Sequence, residues 1–200
     1  MAGSLHMARA SLPSRFGDFT ISVYQRDDNE CVMLQCGDPG TDQVLVRFHS
    51  ECLTGDVLGS LRCDCRQQLL SSLELIAQEG AGYFFYLRQE GRGIGLFNKI
   101  RAYHLQDQGR DTIQANLELG LPVDARKYDF PLDILRTLNV KSVRLITNNP
   151  DKIAACETAG LMVSDRVYVE STVNPHNEGY LHVKRALLHH FETDEPSRLG

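Results

Sequence analysis

Residues 47–65 read Arg-Phe-His-Ser-Glu-Cys-Leu-Thr-Gly-Asp-Val-Leu-Gly-Ser-Leu-Arg-Cys-Asp-Cys and connect a predicted strand to a predicted helix. Within this segment Cys52, Cys63 and Cys65 form a C-x10-C-x-C pattern among basic, acidic and hydroxyl side chains. Three thiolates bind a zinc ion well and leave its fourth tetrahedral position open, which is the arrangement of catalytic rather than structural zinc. The segment therefore predicts a metal-activated water beside groups that can bind an anionic substrate.

The alternative for these cysteines is burial in the core, because a free cysteine packs like a small hydrophobic side chain. That interpretation suits the three isolated cysteines, Cys31, Cys36 and Cys156. It suits the trio less well, since two of its members flank an aspartate and arginines bracket them. No neighbouring side chain is an obvious fourth ligand, although His49 lies three residues before Cys52, so an exchangeable water is the favoured interpretation.

The composition is that of one soluble globular domain. The chain has 200 residues, 42% hydrophobic and 24% charged, which is enough to bury a core. A formal net charge of -5 and a pI of about 5.8 argue against nucleic acid as a partner, whereas a few local arginines suffice for a small phosphorylated ligand. No apolar run approaches the roughly 20 residues of a membrane span, so no membrane association is predicted.

Three segments are expected along the chain. Residues 1–7 (MAGSLHM) are interpreted as a vector remnant and left out of the fold, residues 8–191 as one catalytic domain, and residues 192–200 as a loose tail. The N-terminus lacks the apolar core of a secretory signal, so a cytoplasmic location is predicted. In that reducing compartment clustered cysteines indicate metal ligands rather than disulfides.

The hydrophobic pattern predicts a single α/β domain with a mixed β-sheet layered with helices. Antiparallel strands are expected in the N-terminal half and strand-helix alternation in the C-terminal half. The predicted strands are 19–24, 31–35, 43–48, 83–87, 142–147 and 163–169. One predicted helix runs from the cysteines to Gly80, and a second runs from the glycine-rich loop to about Gln108. Three further helices are predicted at 129–138, 151–158 and 180–191.

A glycine-rich loop, Arg88-Gln-Glu90-Gly-Arg92-Gly-Ile-Gly95, follows one predicted strand and precedes a helix. Glycines there allow backbone N–H groups to approach phosphate oxygens, and the helix N-terminus favours an anion. The loop has neither the Walker nor the Rossmann spacing, so a plain surface turn remains the alternative.

Three further polar segments have both a structural and a functional interpretation. The ring of Tyr103 could simply pack on its helix, and Asp124-Ala-Arg126 could be a solvated ion pair. Thr147-Asn-Asn-Pro-Asp-Lys152 opens a helix at the C-terminal end of a strand, where open α/β sheets bind ligands, which favours a phosphate or a polar base edge.

Taken together, these motifs resemble the GTP cyclohydrolase II family. The resemblance runs from about Leu12 to Phe191 and is carried, in order, by residues 47–56, 61–65, 88–95, 98–103 and 147–150. It implies hydrolysis of GTP with loss of C8 as formate and release of pyrophosphate. The implied product is 2,5-diamino-6-ribosylamino-4(3H)-pyrimidinone 5′-phosphate, in the first step of riboflavin biosynthesis. It also implies Zn2+ for ring opening, Mg2+ with the GTP phosphates, and a homodimer.

The resemblance also implies the roles of particular residues. The zinc ligands would be Cys52, Cys63 and Cys65, and Tyr103 would assist ring opening. Asp124 would be the proton acceptor and Arg126 a nucleophile toward the α-phosphorus. The substrate-binding positions would be Arg47, Phe48, His49, Ser50, Glu51, Gln68, Glu90, Gly91, Arg92, Thr112, Thr147 and Lys152.

Several alternatives stay open. A guanidinium remains protonated, with a pKa above about 12, and a protonated nitrogen is not nucleophilic. Arg126 could therefore clamp the α-phosphate while water attacks. A relative could stop at a formamidopyrimidine nucleotide, or a non-catalytic protein could use the zinc structurally to bind a nucleotide. The domain could also be cut from a bifunctional protein that carries a dihydroxybutanone phosphate synthase domain.

Overall fold

A computed structural model describes residues 4–186 of the chain. The strands are β1 (His6–Ser14), β2 (Gly17–Arg26), β3 (Asn29–Cys36), β4 (Val44–Ser50), β5 (Gly82–Leu87), β6 (Ser142–Ile146) and β7 (Met162–Val167). The helices are α1 (Cys65–Glu79), α2 (Leu96–Asp107), α3 (Thr112–Glu118), α4 (Asp129–Thr137), α5 (Pro150–Thr158) and α6 (Glu178–Ala186). A single π-helical turn, Leu53–Val57, follows β4, and a single 3-10 turn, Glu90–Gly93, follows β5.

The strands form one seven-stranded mixed sheet in the order β1-β2-β3-β5-β4-β6-β7. The pairs β1–β2, β2–β3 and β3–β5 are antiparallel, whereas β4 is parallel to both β5 and β6, and β6 to β7. This confirms the predicted mixed sheet in a single α/β domain. β4 belongs to the parallel half although it comes early in the chain, because the cysteine segment and α1 form the long crossover that a parallel β4–β5 pair requires.

The core lies on both faces of the sheet. In β4, Val44, Val46 and Phe48 face a cluster that includes α4 and α5, and Leu45 faces a second cluster that includes α1. All residues of β4 except Ser50 are buried, as expected for a strand covered on both faces. The alternation matters for function, because it turns Arg47 and His49 away from Phe48.

Two predicted helix ends are confirmed. α1 ends at Gly80, whose φ of 78° is readily adopted only by a residue without Cβ. α5 begins after Asn149, whose side chain accepts a hydrogen bond from the N–H of Asp151, with Pro150 in the first turn. These two ends position the segments that precede β5 and follow β6.

Two elements were not predicted. β1 has no apolar face to detect, since nearly all its residues are exposed. His6 and Met7 pair with Gln25 and Tyr24, so these two residues belong to β1, while a vector origin for residues 1–7 stays a prediction. The short α3 starts with a capping box between Asp111 and Gln114, a signal that the sequence does contain.

The C-terminal helix begins two residues earlier than predicted. α6 begins at Glu178 rather than at Tyr180, and residues 187–191 of the predicted helix lie outside the described residues, as does the predicted tail 192–200. Within residues 4–186, no helix has the length and apolarity that crossing a bilayer would require.

Candidate active site

A cavity of about 390 Å³ lies beyond the C-terminal ends of β4, β5 and β6. This volume is typical of small-molecule sites, and the position is where open α/β sheets bind ligands. β4 contributes Arg47, His49 and Ser50, the turn after β5 contributes Glu90 to Arg92, and the segment after β6 contributes Thr147 to Asn149. The topology therefore brings three distant motifs into one wall.

The three clustered cysteines lie in this wall. Their sulfurs all lie within 4.8 Å of one another, and Cys52 Sγ is 3.7 Å from Cys63 Sγ. Tetrahedral zinc with Zn–S bonds of about 2.3 Å requires sulfurs about 3.8 Å apart. The donor set thus fits a zinc ion, whereas a disulfide needs a sulfur separation of about 2 Å. All six cysteines of the chain are free.

Hydrogen bonds among the three sulfurs shift their pKa values in opposite directions. Hydrogen bonds from Cys63 and Cys65 lower the pKa of Cys52 far below its ordinary value. The hydrogen bond with Cys52 raises the pKa of Cys63 to about 11. Hydrogen bonds with Cys52 and Cys63 raise the pKa of Cys65 as well. Zinc binds cysteine as the thiolate, so binding by all three sulfurs would release the protons that the thiols carry.

His49 is not a fourth ligand. Its Nε2 lies 3.0 Å from Asp56 Oδ2, and burial lowers the pKa of the imidazole. Asp56 also accepts hydrogen bonds from the N–H of Cys52 and from Tyr86 Oη. Among the described residues, no further His, Cys, Asp or Glu joins the trio. His49 instead supports the backbone that carries the first cysteine.

A lysine that the sequence analysis did not single out reaches the trio. Lys99, on α2, is 8% exposed, and its Nζ donates to Cys52 Sγ at 3.2 Å and to Glu90 Oε1 at 2.7 Å. Burial would lower the pKa of Lys99, but Glu90 and Cys52 raise it above the ordinary value. The available signal was helical spacing, because Lys99 and Tyr103 lie four residues apart and share one face.

Tyr103 lies beside this lysine. The Lys99 Nζ is 5.7 Å from the centre of its ring, and the guanidinium of Arg62 lies 4.6 Å from the same point. Burial raises the pKa of the phenol, so it is protonated at neutral pH and able to donate. Tyr103 and the three sulfurs line the same cavity.

A polar network joins β4 to the C-terminal segment. Arg47 Nη2 donates to Gln68 Oε1 at 2.6 Å, and Gln68 Nε2 donates to Asp64 Oδ2 at 2.6 Å. Asp64, between two cysteines, also accepts from Ser171 Oγ at 2.6 Å and from Lys184 Nζ at 2.8 Å. Burial opposes ionisation of Asp64, but Lys184 and Ser171 outweigh it and hold its pKa well below the usual range.

Cationic side chains are concentrated in the cavity wall. Burial lowers the pKa of Arg47 to about 10, and burial together with Arg47 and Arg126 lowers that of Lys152, whose Nζ donates to the Phe48 carbonyl at 2.6 Å. Within residues 4–186, neither terminal nitrogen of Arg92 has a hydrogen-bond partner, although both are buried. A wall of this kind favours an anionic ligand.

Arg92 is held in an unusual backbone conformation. Its φ of 61° lies in the left-handed region, between Gly91 and Gly93, and its guanidinium lies 5.7 Å from the ring centre of Tyr180. A non-glycine residue in this region is strained by about 1–2 kcal/mol. The glycine-rich loop thus turns a buried guanidinium into the cavity instead of forming a plain surface turn.

Asp124 and Arg126 form a close pair. Arg126 Nε lies 3.0 Å from each Asp124 oxygen, Nη2 donates to Oδ2, and the Arg126 N–H donates to Oδ1 at 3.0 Å. Burial would lower the pKa of Arg126, but Asp124 raises it above the ordinary value, while Arg126 lowers the pKa of Asp124 against its own burial. Both groups are charged at neutral pH.

The structure brings nearly all predicted site residues together. All of them line the cavity except Phe48, whose side chain lies in the core, and Asp124, which reaches the cavity through Arg126. Thr112 contributes from the first turn of α3. Sequence reasoning missed the wall residues Arg62, Lys99, Tyr180 and Lys184.

Comparisons with known proteins identify the family of the chain. The family model described as GTP cyclohydrolase II matches residues 6–168. A GTP cyclohydrolase-2 of Picrophilus torridus is 51% identical over 185 residues, covering 92% of this chain and 96% of that protein. A GTP cyclohydrolase-2 of Acinetobacter baumannii is 55% identical over 188 residues, covering 92% of this chain and 94% of that protein.

Two other similarities cover only part of the other protein. The riboflavin biosynthesis protein RibBA of Salinispora tropica is 55% identical over 188 residues, covering 92% of this chain and 47% of that protein. The crystal structure of RibBX, a two-domain 3,4-dihydroxy-2-butanone 4-phosphate synthase from A. baumannii, has a TM-score of 0.45 and 16% identity. It covers 86% of this chain and 41% of that one, and the likeness is too weak to interpret. On the family match and the close relatives, the chain belongs to the GTP cyclohydrolase II family and is an enzyme of that type.

Proposed function

We propose that this chain hydrolyses GTP, opens the imidazole ring of guanine, and releases formate and pyrophosphate. The product would be 2,5-diamino-6-ribosylamino-4(3H)-pyrimidinone 5′-phosphate, in riboflavin biosynthesis. One observation carries the proposal. Three sulfurs spaced for tetrahedral zinc and a set of buried cations line a single cavity. Opening of a purine ring calls for the first feature, and binding of the phosphates calls for the second.

The ring-opening half depends on the cysteine trio and Tyr103. Zinc bound by Cys52, Cys63 and Cys65 would act as a Lewis acid and lower the pKa of a coordinated water to about 7. No further His, Cys, Asp or Glu among the described residues joins the trio, so a water could complete the coordination of the ion. Tyr103, protonated because it is buried, would donate to the ring nitrogen that departs when the C8–N bond breaks.

The phosphate half depends on the cationic wall. Arg92 has donors without partners among the described residues, and Lys152 and Arg126 add positive charge. Preorganised cations of this kind stabilise the charge that develops during phosphoryl transfer. We include Mg2+ bound to the triphosphate in the proposal, in the role that the family resemblance implies.

Arg126 is proposed as an electrostatic clamp on the α-phosphate rather than as a nucleophile. Asp124 raises the pKa of its guanidinium, so the group stays protonated and lacks a free lone pair. Water would then attack the α-phosphorus directly, and the pyrophosphate would leave. Rapid acid-free quenching and mass spectrometry of the Arg126 peptide would test this, because a nucleotidyl adduct on that peptide contradicts the clamp.

The deciding experiment measures metal content and products together. Purified protein incubated with GTP and Mg2+ should yield formate, pyrophosphate and the diamino nucleotide, and removal of zinc with a chelator should stop formate release. Cys63→Ser should bind little zinc and release little formate. A product that retains the formyl carbon would favour the rival that stops early, and bound nucleotide without turnover would favour a non-catalytic protein.

We also propose a cytoplasmic homodimer, in keeping with the family resemblance. Apolar side chains that a second copy could cover are exposed near the cysteines and on α2. Phe97 is 77% exposed, and Leu58 is 70% exposed. Light scattering after size-exclusion chromatography should give twice the mass of one chain.

A further inference from the structure

We propose that Lys99 is a positioning residue for the metal centre, holding Cys52 Sγ in place and offsetting the negative charge of the three sulfurs. The inference rests on the proposed zinc site. Lys99 Nζ lies 3.2 Å from the sulfur, and the two side chains come from different elements. Lys99 belongs to α2, and Cys52 follows β4.

The surroundings of Lys99 leave its ammonium little freedom. It is one of only two buried residues of α2, and Glu90 Oε1 accepts from its Nζ at 2.7 Å. A buried lysine without a partner is costly, and this ammonium has a carboxylate and a sulfur within hydrogen-bonding distance. The ammonium is therefore fixed between a carboxylate and a sulfur rather than solvated.

Glu90 holds both Lys99 and the backbone next to Cys52. Its Oε2 accepts from the N–H of Leu53 at 2.6 Å, and its Oε1 accepts from the N–H of Gly91 at 2.7 Å in addition to Lys99. Both oxygens are thus engaged by the protein. The Glu90 carboxylate ties Lys99 to the residue after Cys52, so the pair fixes both the sulfur and the backbone that carries it.

The net charge of the proposed zinc site explains why a cation beside Cys52 is useful. Three thiolates around one divalent ion leave one negative charge uncompensated, and an N–H···S bond from an ammonium offsets it. Hydrogen bonds to metal ligands commonly change metal affinity by about 10- to 100-fold when they are removed. A methionine at position 99 would keep the length of the side chain but lose both the charge and the donor.

The test measures zinc affinity without substrate, by competition with a chromogenic chelator. Lys99→Met should raise the zinc dissociation constant by about 10- to 100-fold, and Lys99→Arg, which keeps a cationic donor, should restore most of the affinity. Arg101→Met is the matched control, since Arg101 is exposed on the same helix and bonds to Asn98. It should bind zinc like the unchanged protein.

Unfolding of the metal-free proteins separates positioning from a general structural role. Equal zinc affinity in Lys99→Met and Arg101→Met would overturn the inference. The inference would also be overturned if Lys99→Arg lost as much zinc affinity as Lys99→Met, because Lys99 and Glu90 would then only hold α2 in place. If Lys99→Met does not fold, Lys99→Gln against Lys99→Arg makes the same comparison. Absence of zinc from the unchanged protein would instead overturn the proposed function itself.

Discussion

Gly55 packs so closely against Cys63 that a Cβ built on the glycine would lie 2.9 Å from the sulfur. The same Cβ would lie 3.2 Å from Cys52 Sγ and 3.1 Å from Cys65 Cβ. All three cysteines thus close around a position that only glycine can occupy without displacing a sulfur. The turn after β4 therefore needs a glycine at position 55 for the three cysteines to pack together.

Gly55→Ala should lower zinc affinity while the rest of the domain stays folded. The added methyl group must push apart sulfurs whose spacing fits tetrahedral zinc, and a displaced ligand weakens the site. Zinc content after purification and chelator competition would measure this effect. Leu58→Ala is the control, since Leu58 is 70% exposed close to the same turn. Full zinc content in Gly55→Ala would contradict the spacing argument.

Tyr103→Phe should slow formate release by about 100-fold or more, the usual contribution of a positioned proton donor. Pyrophosphate release should continue, because the phosphate-binding cations are unchanged. The nucleotide product would then retain C8, which mass spectrometry detects directly. Tyr24→Phe makes the same chemical change in β2, away from the cavity wall, and should leave both rates intact. Equal loss of both products in Tyr103→Phe would argue for a packing role.

Alkaline pH should destabilise the protein through two core thiols. Burial raises the pKa of Cys31 and of Cys156 to about 12, whereas an unfolded thiol titrates near about 8.5. The unfolded state therefore binds fewer protons above pH 8.5, and stability falls as pH rises toward 12. Linkage predicts a loss of about 3 kcal/mol between about pH 8.5 and 10 for the two groups together.

Denaturant unfolding across this pH range would check the alkaline loss. The double variant Cys31→Ala with Cys156→Ala should be less stable at pH 7 but should lose less stability on going to pH 10. Val163→Ala truncates the same cluster without a titrating group, so its cost should be the same at every pH. An unchanged slope in the double cysteine variant would refute the assignment to these thiols.

The sequence predicted those parts of the site that are local in the chain. The trio spans only residues 52–65, and the glycine-rich loop is one continuous segment. The rule that open α/β sheets bind ligands at the C-terminal ends of their strands predicted a ligand site only for residues 147–152. That the cysteines and the glycine-rich loop line the same cavity as this segment emerges from the structure.

The missed parts depend on contacts between distant segments. Asp64 and Lys184 are separated by 120 positions, and no periodicity in α6 indicates that its lysine reaches the cysteine segment. The position of β4 between β5 and β6 likewise depends on the crossover through α1 rather than on strand order in the chain. β1 was not predicted because an exposed strand lacks the alternation of apolar and polar residues that indicates a half-buried strand.

The Asp64–Lys184 contact gives the last prediction. Lys184→Met should destabilise the protein by about 3 kcal/mol, because it leaves a buried carboxylate without its cation. This is the lower end of the usual range, since Asp64 keeps its bonds to Gln68 and Ser171. The exposed Lys141 offers a control, and Lys141→Met should change stability by less than about 0.5 kcal/mol.

A double-mutant cycle makes the prediction specific to the pair. Asp64→Asn together with Lys184→Met removes both charges, so the double variant should be more stable than the sum of the single effects predicts. Strict additivity would show that the two side chains do not couple. Coupling, measured by denaturant unfolding of the metal-free protein, would mean that α6 is held against the cysteine segment by a charge located between two of the proposed zinc ligands.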